Sequence, residues 1–149
     1  MTAPRDVAQT YFHAWNNHDA NSIAATFAEG GTYSDPTTKG PLTGPAIGAY
    51  AQALWAAFPD LSFEIVSVTE SGNLISAEWI MRGTNTGSFN GLPPTGRTIE
   101  LPGADFLRTA VSAHRGLTFQ LTPSDDGLDA WQYLLACGIL IFGVAVLFY

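Results

Sequence analysis

Only one of the 149 residues is a cysteine, Cys137, and only one is a lysine, Lys39. A lone cysteine excludes an internal disulfide and a cysteine-rich metal site. Six basic residues against thirteen acidic ones give a formal charge of -7. No basic patch is available for phosphate contacts, so nucleic-acid binding is not expected. His13, His18 and His114 do not form a metal-ligand spacing such as H-E-x-x-H, and no metal site is expected. There is no glycine-rich phosphate loop and no G-x-S-x-G elbow. The opening "MTAPRDVAQTYF" has no apolar stretch of signal-peptide type.

Apolar residues make up 46% of the chain, enough for one domain with a real core and against a disordered chain. Charge disappears after Asp129: "AWQYLLACGILIFGVAVLFY" runs to the terminus without one ionisable acid, lysine or arginine. A bilayer-spanning helix needs about 20 apolar residues, and Trp131 and Tyr133 stand where interfacial anchors do. The chain therefore divides into a domain over 1–123, a linker over 124–129 and an apolar helix over 130–149. The helix reads as a membrane anchor, with a hydrophobic oligomer contact and a truncated or fused end as the alternatives.

"TAPRDVAQTYFHAWNNHD" predicts a first helix, with Thr2 as cap, Pro4 in the first turn and Val7, Tyr11, Ala14 and Trp15 at helical spacing. Asp19 is placed to cap a short second helix carrying Ile23 and Phe27. "TYSDP" predicts a short strand ending in an Asp-Pro turn. "TGPAIGAYAQALWAAFPD" predicts a third helix, stopped by Pro59, that buries Ile47, Tyr50, Ala51, Leu54, Trp55 and Phe58. "LSFEIVSVTE" and "LISAEWIMRGTNTG" flank "SGN" as a hairpin, and "TIELPGADFLR" and "VSAHRGLTFQLT" form a last pair. Helices followed by a strand meander imply an α+β domain with the helices on one face of a curved antiparallel sheet.

Alternation puts Ile99, Leu101, Gly103, Asp105 and Leu107 on one face of their strand. A carboxyl on that apolar face loses hydration, which raises its pKa and suits a general acid/base. Gly103 is expected to leave open space beside it. The alternative is a strand-end acid that reaches solvent or a backbone amide. Asp35 fits ordinary Asp-Pro turn chemistry, or the mouth of a cavity. Ile75, Ala77, Trp79 and Met81 share a face, with Trp79 as core or pocket wall; Glu78 and Arg82 lie opposite and are expected to pair or to be solvated. Tyr11, Trp15, Tyr33, Tyr50 and Trp55 are either core or a surface for a flat apolar ligand. His114 is a second acid/base candidate or an ordinary half-buried histidine.

"YFHAWNNHD", "FAEGGTYSDPTTKGPLTGP", "AFPDL", "EWIMRGTNTGSFNGLPPTGR" and "LPGADFLR" together resemble the SnoaL-like polyketide cyclases, or ester cyclases, of the nuclear-transport-factor-2-like superfamily. The resemblance covers roughly residues 5 to 120. It implies a conical α+β barrel with N-terminal helices closing a pocket. It implies acid/base catalysis of an intramolecular aldol cyclisation, with no metal and no cofactor. The family's key aspartate maps onto Asp105, and the carboxylate of its turn maps onto Asp35. Asp35, Trp15, Tyr33, Tyr50, Trp79 and Asn85 are then the expected substrate-binding residues. Asn85 replaces a histidine found in many relatives, which removes a titratable group. The hairpin around "FLRTAVSAHRG" is also shorter than usual. The implied partner is a hydrophobic small molecule. A homo-oligomer is expected, with the domain in the cytoplasm and the tail as its anchor. The same fold also serves isomerases, epoxide hydrolases and non-catalytic binding or interaction modules.

Overall fold

The computed structural model describes residues 4–109 and 117–121. Helix α1, Pro4–Asn16, buries Ala8, Tyr11, Phe12, Ala14 and Trp15. Helix α2, Ala20–Ala25, is capped by Asp19, which accepts from the Ser22 backbone N–H at 3.0 Å and from its hydroxyl at 2.6 Å. These bonds hold the exposed Asp19 carboxyl below its ordinary pKa range. Strands β1, Thr32–Tyr33, and β2, Leu42–Thr43, pair antiparallel around the Asp35 turn. Helix α3, Pro45–Ala57, buries Ile47, Ala51, Leu54 and Trp55. A Cβ at Gly48 would lie 2.9 Å from the Ala20 carbonyl oxygen, so glycine lets α3 approach α2 closely.

The main sheet is antiparallel in the order β3, Ser62–Ser71; β4, Leu74–Thr84; β5, Thr98–Thr109; β6, Leu117–Leu121. Its inner face carries Ile75, Ala77, Trp79 and Met81 from β4 and Asp105 and Leu107 from β5, all buried. Helix α1 covers the β3–β4 side. Asn16 grips the edge strand as a backbone would, donating to the Phe63 carbonyl at 2.9 Å and accepting from its N–H at 2.7 Å. Register skips one residue between Ile65 and Ser67, a bulge that leaves Val66 exposed and bends the strand.

The α+β architecture follows the sequence reading, and β2 and the bulge are additional to it. Glu78 and Arg82 lie on the solvated outer face, one of the two expectations, but Arg82 does not make the expected pair. It pairs not with Glu78 but across strands, with Glu64 at 2.6 Å and Glu100 at 2.8 Å, because β5 sets Glu100 directly opposite it. Glu78 instead accepts from the Ser67 hydroxyl at 2.6 Å. The cap Thr2, the last hairpin turn, His114 and the expected apolar helix over 130–149 lie outside the described residues. Among the described residues, no helix is long and apolar enough to cross a membrane.

Candidate active site

Two carboxyls lie buried between the helices and the sheet: Asp105 is 3% exposed and Asp35 is 4% exposed. Asp105 belongs to the inner face of β5 because its strand alternates, as expected. It sits opposite Ala77 in register, one diagonal step from Trp79. The Trp79 indole N–H donates to Asp105 Oδ1 at 2.7 Å. No other described residue hydrogen-bonds this carboxyl. Burial holds Asp105 well above the ordinary carboxyl range. The Trp79 bond works against that rise by favouring the ionised form, and the negative charge of Asp35 adds to it.

The space beside Asp105 is not open. The Trp79 indole occupies it, lying over Gly103, its direct partner across the ladder. A Cβ at Gly103 would fall 2.6 Å from Cζ2 and 2.7 Å from Cζ3 of that ring. Phe63 meets the indole edge-on with centroids 5.1 Å apart, and Trp15 meets Phe63 at 5.6 Å.

Asp35 has a different environment. Its Oδ2 accepts from the Tyr33 hydroxyl at 2.7 Å and from the Tyr50 hydroxyl. Its Oδ1 accepts from the Thr37 N–H at 2.7 Å, the Thr37 hydroxyl at 2.8 Å and the Thr38 N–H at 3.0 Å. Two of these partners, the Thr37 and Thr38 N–H groups, can only donate, and three are hydroxyls placed to donate, so among the described residues the carboxyl is held as an acceptor. Burial, then the Asp35 charge, pushes the Tyr33 and Tyr50 hydroxyls well above their ordinary pKa, so both remain donors. Tyr11 on α1 is raised first by burial and next by the charge of Asp105, with a Trp15 hydrogen bond opposing.

The structure thus gathers Asp35, Tyr33 and Tyr50 into one knot, and Trp79 and Asp105 into a second unit. Trp15 lies in the aromatic wall between α1 and the sheet. Asn85 is buried but committed elsewhere. Its amide donates to the Gly87 carbonyl at 2.9 Å, and its oxygen accepts from the Thr95 N–H at 2.7 Å and hydroxyl at 3.1 Å. Those contacts shape the loop between β4 and β5. Thr37 was not anticipated, although two threonines directly after "DP" are a legible sign of an Asp-centred turn. Arg82 lies on the outer face, away from both acids.

Residues 8–111 match the SnoaL-like domain. The chain belongs to that family. No curated protein matches this sequence. Among solved structures, a candidate polyketide cyclase from Xanthomonas campestris is similar with a TM-score of 0.65 and 24% identity, over 78% of this chain and 87% of that one. IdmH, a candidate polyketide cyclase from Streptomyces antibioticus, gives 0.62 and 20%, over 79% and 91%. A protein of ketosteroid isomerase-like fold from Catenulispora acidiphila gives 0.66 and 20%, over 93% and 96%. At these identities the likeness is one of fold: the SnoaL-like domain has the nuclear-transport-factor-2-like arrangement of helices on an antiparallel sheet.

Proposed function

We propose that the protein is a cyclase-type acid/base enzyme acting on a hydrophobic carbonyl compound, with Asp105 as the group that moves the proton and with no cofactor. The observation that carries this reading is Asp105 itself: a buried carboxyl whose proton affinity is raised and whose only hydrogen-bond partner among the described residues is an indole N–H. In an aldol closure, ionised Asp105 takes a proton from a carbon flanked by carbonyls. The resulting enolate forms a carbon–carbon bond to a second carbonyl carbon of the same molecule. The oxygen of that carbonyl then takes the proton back from Asp105, so substrate and product are isomers. An acid of raised pKa narrows the proton-affinity gap to such a carbon. Trp15, Tyr33, Tyr50 and Trp79 offer flat apolar surfaces to the substrate. In this reading Asp35 acts by fixing the two phenols, since its own acceptor sites are filled.

The test is hydrogen–deuterium exchange at the acidic carbon of an aromatic β-keto ester in D2O, followed by NMR. Wild-type protein is expected to accelerate exchange, and Asp105→Asn to remove about 10²–10⁴-fold of that acceleration. Equal rates for the two proteins would sink the proposal.

A non-catalytic ligand-binding module is the second reading, favoured by the indole that fills the space over Gly103. It predicts binding of the same ester with no exchange by either protein. An epoxide-opening site of two acids and an arginine is disfavoured, because Arg82 is tied to Glu64 and Glu100 on the far face. The uncharged run over 130–149 keeps its reading as an anchor on sequence grounds, and release of the full chain by alkaline extraction of membranes would refute it. A homo-oligomer is likewise proposed, and light scattering of the purified protein tests it.

A further inference from the structure

We propose that Gly103 and Trp79 form one positioning device for Asp105: the missing side chain at 103 lets the indole lie across β5, and the indole fixes which carboxyl oxygen exchanges a proton. Trp79 and Gly103 are direct partners in the β4–β5 ladder, and Asp105 follows two residues later on the same face. A large aromatic residue opposite another side chain would stand up from the sheet. Opposite glycine it can lie down, and only then does Nε1 reach 2.7 Å from Asp105 Oδ1. The fit leaves no room for a methyl group, since any Cβ at 103 would strike the six-membered ring of the indole. Phe63 packs at right angles against Trp79 and holds it down. Because an indole N–H is a donor only, Oδ1 must be an acceptor. The mobile proton is therefore assigned to Oδ2, which has no hydrogen-bond partner among the described residues.

Among the described residues, the other titratable groups facing Asp105 are Tyr11 from α1 and Asp35 from the turn after β1. On the β6 side its register partner is Leu121, which does not titrate. Among the described residues Trp79 is thus the one neighbour that favours the ionised carboxyl by hydrogen bonding, and Gly103 acts only through it. The catalytic consequence rests on Asp105 being the working acid; the positioning itself does not.

The experiment is a titration of the Asp105 side-chain carboxyl by carbon-13 NMR in wild type, Trp79→Phe, Gly103→Ala and the double variant. Loss of a hydrogen bond to a charged group is expected to raise the Asp105 midpoint by about one pH unit in each single variant. In the double variant Gly103→Ala should add nothing to Trp79→Phe, the mark of two residues acting as one. The proposal is overturned if Trp79→Phe leaves the midpoint in place, or if Gly103→Ala shifts it equally in both backgrounds. Should Gly103→Ala fail to fold, the Trp79→Phe titration decides alone. The exchange assay fails or succeeds separately: unaltered exchange by Asp105→Asn would remove the acid/base reading and leave the titration result intact.

Discussion

Asp35 and Asp105 are buried almost equally, at 4% and 3% exposure, and share one interior. Among the described residues, five donors surround the first and a single donor meets the second. Burial alone therefore does not set the role of an acid. The number of donors decides whether the protein interior favours the charge or the proton. Asp35 is held in place by its donors and organises two tyrosines. Asp105 is left with a proton it can give or take. Pairs of acids whose environments diverge in this way are the usual basis for dividing labour between them.

One chemical change made at both sites would break the comparison most sharply. Asp35→Asn places an amide NH2 against donors and is expected to cost roughly 3–5 kcal/mol of stability, as two charge-assisted bonds are lost. Asp105→Asn keeps an acceptor for Trp79 and is expected to cost nothing at neutral pH. Urea denaturation of both variants checks this, and equal losses would erase the distinction.

The next effect is one of pH. Because the folded pKa of Asp105 lies above its unfolded value, the unfolded chain releases this proton first. Folded stability from this group is thus intact below the ordinary aspartate range, and it falls as pH rises toward the folded value. Asp105→Asn should remove that slope, so the variant gains on wild type at pH 8 and not at pH 3. Parallel melting curves across that range would count against a raised Asp105.

The smallest effect belongs to the outer face, where Arg82 bridges Glu64 and Glu100 in solvent. Arg82→Ala is expected to cost less than about 1 kcal/mol, because exposed pairs gain little against water and salt. A loss as large as that of Asp35→Asn would mean that charge pairing outside the core matters as much as inside it.

Alternation made the inward face of β5 legible, since a period of two needs no knowledge of neighbours. The three helices and the order of strands were legible for the same local reason. Register was not. The contact between Trp79 and Asp105 depends on which residue of β4 faces which of β5, and the pattern of each strand alone leaves that open. Gly103 was therefore read as empty space when it is a seat for a ring. The solvated face of Glu78 and Arg82 was legible, but the partners of Arg82 were not, because cross-strand neighbours are closer competitors for its charge. The Asp35 turn was visible through its Asp-Pro pair. Its bond to Tyr50 was not, because a helix must first fold back over the turn.

That last point has a consequence for how the chain acquires its structure. The Asp35 knot joins residues 2 and 15 positions apart in sequence, while the Trp79–Asp105 bond spans 26. Loop-closure entropy favours forming the nearer set first. The Asp35 knot would then be in place before β5 docks, and Asp105 would enter an interior that already holds a second acid. Docking of β5 is the step at which the proton affinity of Asp105 rises. Refolding should accordingly slow as pH rises through the range where the unfolded aspartate ionises, a kinetic signature carried by a strand rather than by the whole fold.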